Sequence, residues 1–143
     1  MPRWRGFDNP FGDIWTNLDG VVIQRTEANK ISSVYTTTNK EEFTDVIGGK
    51  TIAGYEVAQD GYIKEFDLGK TAEIIPSSCA EASPTTYICD CHWCNVNSTE
   101  LRTLAVGGDA GRSDGAGLDS FHSGYGIGYA GSDVGFRTLN RVS

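Results

Sequence analysis

The chain has 143 residues, 38% hydrophobic and 22% charged, a balance that fits one globular domain with room for one real core. A net charge of -7 argues against binding nucleic acid through its phosphates, and no apolar run approaches the roughly 20 residues of a membrane span. The opening Met1-Pro2-Arg3-Trp4-Arg5-Gly6 carries no apolar signal core, so the expectation is a soluble chain, or the detached end of a longer one.

The first stretch predicts strand, helix, strand. Asn9-Pro10 supplies a capping side chain and then proline at the first helical position, and Phe11, Ile14, Trp15 and Leu18 follow at helical spacing. Asp19-Gly20 predicts a turn and Val21-Val22-Ile23 a buried strand. Ile31 to Thr38 is β-prone, Asn39 to Phe43 can open a short helix, and Tyr55 to Leu68 reads as a loop or hairpin around Asp60-Gly61. Pro76 and Pro84 bracket a polar loop; Tyr87-Ile88-Cys89 and Leu101 to Val106 read as strands. From Gly107 to Gly135 glycine, serine, aspartate and alanine dominate, the composition of a flexible linker. Yet Leu118, Phe121, Ile127, Val134 and, just beyond, Phe136 punctuate the segment, and a linker needs no such anchors. Short strands and long ordered loops held at a few buried points are the simpler expectation. One shared core is expected for Ile14, Trp15, Val22, Leu104, Val106, Val134 and Phe136, with the terminal strands close together.

Several motifs fail on chemistry. Gly48-Gly49-Lys50-Thr51 and Gly69-Lys70-Thr71 suggest phosphate loops, but the required earlier glycine is replaced by Thr44 and Lys64. The four cysteines, Cys79, Cys89, Cys91 and Cys94, cluster instead of spreading over a disulfide framework. Cys91 and Cys94 have metal-like spacing, with His92, Cys89 or Cys79 to complete a set. Neighbours such as Cys91 and His92 point to opposite faces of a strand, however, so buried thiols are expected and no metal or cofactor. The only histidines are His92 and His122, and no nucleophile elbow lies between strand and helix, so no enzyme is expected.

Residues 107–135 lack lysine, glutamate, glutamine, methionine and tryptophan. None of these five arises from an Asn codon, AAC or AAT, by changing its adenines. The aspartate, glycine, serine, tyrosine, histidine, arginine and alanine that are present all do.

Gly107-Gly108, Ala116-Gly117-Leu118 and Val134-Gly135-Phe136-Arg137 together resemble the variable region of proteins diversified by retroelements. The stretch from Trp4 to Trp15, Asp19-Gly20-Val21 and Tyr87-Ile88-Cys89-Asp90 is also similar to that family, whose members resemble the formylglycine-generating-enzyme branch of the C-type lectin fold. The resemblance spans nearly the whole chain, strongest at its ends and weak between about Thr26 and Pro84. It implies an α+β, C-type-lectin-like fold with short strands, long ordered loops and one or two helices, in one ligand-binding domain over 1–143. In that family an error-prone reverse transcriptase rewrites the adenines of Asn codons. Typical templates place them at positions matching Asp109, Gly111, Arg112, Gly115, His122, Gly124, Tyr125, Tyr129, Gly131 and Asp133; Asp114, Asp119 and Ser120 can join the set.

The implied ligand-binding residues are therefore Asp109, Gly111, Arg112, Asp114, Gly115, Asp119, His122, Tyr125, Tyr129 and Asp133, with side chains expected to face solvent. Tyr125 and Tyr129 are the natural anchors, large, stiff and amphipathic. The implied function is receptor binding at the tip of a phage tail fibre or other virion appendage, toward a host-surface protein or glycan, with a homotrimer or attachment to a fibre. A bacterial surface or secreted adhesin is the alternative, then a structural virion protein without a ligand. A formylglycine-type enzyme ranks last, because such enzymes resemble this fold but use a cysteine pair near the C-terminus, and no cysteine follows Cys94.

Overall fold

Alternation, not helical periodicity, governs the segment around Trp15. In the computed structural model, which describes residues 3–4, 7–8, 12–81, 88, 90–112 and 115–135, Trp15–Asn17 is a strand inside a sheet. Trp15 is fully buried, while Ile14 and Leu18 are 41% and 39% exposed. Helical spacing would have placed all three on one face. Gly12, with φ +80°, is unsuited to a right-handed helix, and the Trp15 N–H donates to the Asp133 carbonyl at 2.8 Å. Long-range pairing has overridden a weak local preference. The expected start of that helix at Asn9-Pro10-Phe11 lies outside the described residues.

The elements in chain order are β1 Arg3–Trp4, β2 Phe7–Asp8, β3 Trp15–Asn17, β4 Val21–Gln24, β5 Ser32–Thr36, a 3-10 turn Lys40–Glu42, β6 Thr51–Glu56, β7 Gly61–Leu68, β8 Ile74–Ala80, β9 Cys91–Trp93, β10 Ala105–Val106, β11 Phe121–His122 and β12 Val134–Gly135. No α-helix occurs among the described residues, so the expected α+β architecture with one or two helices is corrected to a β architecture. Asn39 does open a helical turn, its side chain accepting from the Glu41 N–H, but the turn stops after three residues.

β1 and β2 form a small antiparallel pair. β4, β5 and β6 form a three-stranded antiparallel sheet, with Val22 opposite Tyr35 and Ile23 opposite Val34. The large sheet runs β12-β3-β10-β11-β9-β7-β8. Two of its pairings are parallel, β11 with β9 and β12 with β3; the latter sets Val134 beside Trp15 and so joins the last described strand to the third.

Three local readings change. Asp60-Gly61 is not a hairpin turn, because β6 pairs with β5 while β7 pairs with β8 and β9; the 57–60 segment carries the chain from one sheet to the other. The hairpin is β7–β8, closed by the Gly69 N–H on the Glu73 carbonyl at 2.7 Å. Pro76 sits within β8, at the edge of the large sheet, where a missing N–H is tolerated. Pro84 lies outside the described residues.

The core packs Ile23, Val34 and Ala53 of the small sheet against Ile63, Ile75 and Phe121 of the large one, with Leu104. Of the expected core, Trp15, Val22 and Leu104 are buried, Val106 and Val134 are half-buried, Ile14 is exposed, and Phe136 lies outside the described residues. Arg102 bridges both Ile23 and Gly126, tying the small sheet to the C-terminal loops. Lys50, from one rejected phosphate motif, is buried and donates to the carbonyls of Glu42, Thr44 and Val46, which staples its own loop.

Candidate ligand-binding face

Gly107 and Gly108 leave β10 with φ of +92° and +73°, and a Cβ on Gly108 would lie 2.5 Å from that of Ala116. Only glycine serves there, and it turns the chain so that Asp109 comes under Trp15. The Trp15 indole Nε1–H donates to Asp109 Oδ2 at 2.6 Å. Asp109 also accepts from the Gly111 N–H at 2.7 Å and lies 3.6 Å from Arg112 Nε.

A continuous row of side chains runs on from this point. The Arg112 guanidinium sits 5.0 Å from the centre of the Trp93 ring, at cation–π range. Trp93 lies beside His122, at 6.1 Å between centroids. His122 stacks on Tyr125 and Tyr125 on Tyr129, each at 4.1 Å, the two tyrosines nearly parallel. Both tyrosine hydroxyls end on Asp133, Tyr125 on Oδ2 at 2.6 Å and Tyr129 on Oδ1 at 3.1 Å. The hydrogen bonds from Tyr125 and Tyr129 hold the Asp133 carboxyl below its ordinary range. Burial, and then the bond to Asp133, raise the Tyr125 phenol. A cavity of about 420 Å³ opens beside the row, lined among others by Asp60, Trp93, Asn95, His122 and Tyr125.

The expected residues thus divide. Asp109, Arg112, His122, Tyr125, Tyr129 and Asp133 join one row. Gly111, Arg112 and Tyr129 are exposed, and Asp109, Tyr125 and Asp133 are half-buried. His122 is buried at 6% exposure, between Trp15 and Tyr125, and does not face solvent. Burial first, and the Arg112 charge second, push its imidazole down to about 4, so it is neutral at pH 7. Gly115 is also buried, with Cys91 Sγ 3.0 Å from where its Cβ would sit. Asp119 is exposed but belongs elsewhere: its N–H donates to Asp90 Oδ2 at 2.7 Å, and it borders an apolar cleft with Leu18, Ile74 and Leu118. Leu118, expected as a buried anchor, is 61% exposed. Asp114 lies outside the described residues.

Trp93 was not expected at this face, and neither were Trp15, expected only in the core, and Asp60, expected only in a turn. Strand alternation across Cys91-His92-Trp93 was the available signal. It sends Trp93 to the face of Cys91 and Gly115, and His92 to the opposite face.

That opposite face holds a buried polar cluster. His92 Nδ1 donates to the Gln59 carbonyl and Nε2 to Glu56 Oε1, each at 2.7 Å; Cys79 Sγ lies 3.6 Å from Nδ1. Burial alone would lower the His92 pKa, but the contacts with Cys79 and Glu56 outweigh it and raise the value to about 10. The Ser123 hydroxyl donates to the same Glu56 oxygen. Serine here meets the carboxylate and not the imidazole. Arg25 and Arg102, also buried, donate to the carbonyls of Asn95 and Gly124. Cys79 and Cys94 are buried thiols, and burial pushes Cys94 up to about 12. Cys89 lies outside the described residues.

Compared with protein-family models, curated proteins and solved structures, the chain matches none.

Proposed function

We propose that this chain is a hypervariable ligand-binding protein whose contact surface is the solvent-facing side of the row from Asp109 to Asp133, with His122 buried beneath it. The observation that carries this reading is that six Asn-codon-reachable residues, spread over 25 positions in sequence (109 to 133), fall into two groups joined into one row by Trp15 and Trp93. Chance bias in a glycine-rich loop supplies no reason for those positions to touch. The row also has the chemistry of a recognition surface: stiff aromatics at its centre, with an arginine and carboxylates at its margins. The absence of α-helices among the described residues removes support from the N-terminal half of the family resemblance, so the reading rests on residues 107–135. By that resemblance the location is a phage tail fibre or other virion appendage, and the partner is a host-surface protein or glycan.

Sister sequences from one population, paired with adsorption to host cells, test this. Substitutions should concentrate at codons 109, 112, 122, 125, 129 and 133 and stay within the Asn-codon set. Arg112→Ala with Tyr129→Ala should weaken adsorption by about 2 kcal/mol or more while leaving the fold intact. Substitutions spread evenly over residues 12–135, or full adsorption by the folded double variant, would overturn the proposal. Adsorption in the absence of virions would move the protein to a bacterial surface.

A further inference from the structure

Three ligand-type side chains from separated parts of the chain meet behind the binding face. Glu56 ends β6 in the small sheet, His92 is the middle residue of β9 in the large sheet, and Cys94 follows two positions later. One ligand atom from each lies within 4.8 Å of the other two, and all three residues are buried. We propose that Glu56, His92 and Cys94 form a zinc site that clamps the two sheets together.

The surroundings of these side chains are those of metal ligands. His92 Nδ1 donates to the Gln59 carbonyl, which fixes the ring and aims Nε2 into the cluster; metal-bound imidazoles are oriented by this kind of outer bond. The Glu56 carboxylate is steadied at Oε1 by Ser123, while Oε2 is buried with no hydrogen-bond partner. A buried carboxylate oxygen left unpaired is costly, and coordination satisfies it. The Cys94 backbone is pinned by its N–H on Asp60 Oδ1 at 2.7 Å. A mixed nitrogen, oxygen and sulfur set suits borderline-soft zinc, whereas calcium and magnesium take oxygen ligands.

Size and charge agree. Ligands about 2.0–2.3 Å from a tetrahedral zinc stand about 3.3–3.8 Å apart. The 2.7 Å hydrogen bond between His92 Nε2 and Glu56 Oε1 must then give way as the ion settles among Nε2, Cys94 Sγ and the unpartnered Oε2 of Glu56. The entering dication displaces the Nε2 proton and the Cys94 thiol proton. It leaves Zn²⁺ against one carboxylate and one thiolate, a neutral set that a low-dielectric interior tolerates. Three protein ligands leave one position for water. Cys79, on the Nδ1 side of the imidazole, stands outside the set. The sequence reading, which expected no metal, weighed only the cysteines and His92 and had no means of adding Glu56, 36 residues before His92.

The test uses the full chain, stripped with a chelator, then titrated with zinc against a chromophoric chelator and with cobalt as a spectroscopic stand-in. The expected result is one ion per chain, with tetrahedral cobalt bands and a thiolate-to-cobalt charge-transfer band. Cys94→Ser should abolish the charge-transfer band and weaken zinc binding about 100-fold or more; Cys79→Ser should change neither. Glu56→Gln risks misfolding, so the near-isosteric Cys94→Ser decides, with circular dichroism checking its fold. No zinc uptake by the folded wild-type chain, or uptake and spectra that Cys94→Ser leaves unchanged, overturns the site.

Discussion

Tyr125, Tyr129 and Asp133 are not three independent side chains. One carboxylate receives both hydroxyls, and the rings lie nearly parallel at 4.1 Å. Each substitution therefore changes the setting of the other two. A double-mutant cycle with Tyr125→Phe and Asp133→Asn should give a coupling energy of about 0.5–1 kcal/mol, at the low end for a charged hydrogen bond because the pair is half-exposed. Additive urea-melt values would show that the bond contributes nothing. His122 behaves differently from its neighbours because it is covered. Its folded pKa, about 4, lies below the ordinary 6.5, so the unfolded chain takes the proton first. Stability from this residue is complete above about pH 6.5 and is lost as pH falls toward 4. Arg112 and His92 face it as cations and deepen the depression, and Asp60 opposes it. Urea midpoints from pH 7 to 4 should fall less steeply in His122→Phe than in the parent chain; parallel curves would rule the imidazole out as the cause. At this scale the Asn-codon pattern marked residues proposed to be exchangeable, but not where each points. Reachability from an Asn codon is a property of the nucleotide sequence, and it does not separate exposed Tyr129 from buried Gly115.

At the scale of the element, β3 is where sequence and structure part most clearly. The run Ile14, Trp15, Leu18 fits a helix by spacing, yet three residues of strand hold Trp15 inside while Ile14 and Leu18 face out. So short a segment carries too few positions for either period to stand out, and pairing with β10 and β12 decides. Trp15→Ala should cost about 3–5 kcal/mol in chemical denaturation, against about 1 kcal/mol or less for Ile14→Ala. Similar costs for both would restore the helical face. β4 and β5 were legible because β-branched residues bounded by turn residues leave little choice. The passage from β6 to β7 was not: Asp60-Gly61 carries the local chemistry of a hairpin, and nothing local states that the partners of the flanking strands lie elsewhere.

At the scale of the molecule, the sequence conveyed short strands and ordered loops in the glycine-rich third, but it predicted helices where the described residues form a β architecture, and it missed how the sheets are joined. The joints are Arg102, Glu56 and His92, polar residues whose partners lie far away in sequence and follow no period. The seating of β3 between β12 and β10 has a mechanical meaning as well. Suppose tension enters through the residues ahead of Trp15 while a target grips Asp109 and Asp133. The force then crosses only a few bonds: the Trp15 N–H on the Asp133 carbonyl, the indole on Asp109, and the short ladders on either side of β3. Were the pull to run along β3, those ladders would be loaded together in shear instead of opening one by one. The small sheet and the β7–β8 hairpin lie off this path, so they can fluctuate without loosening the grip between tether and target.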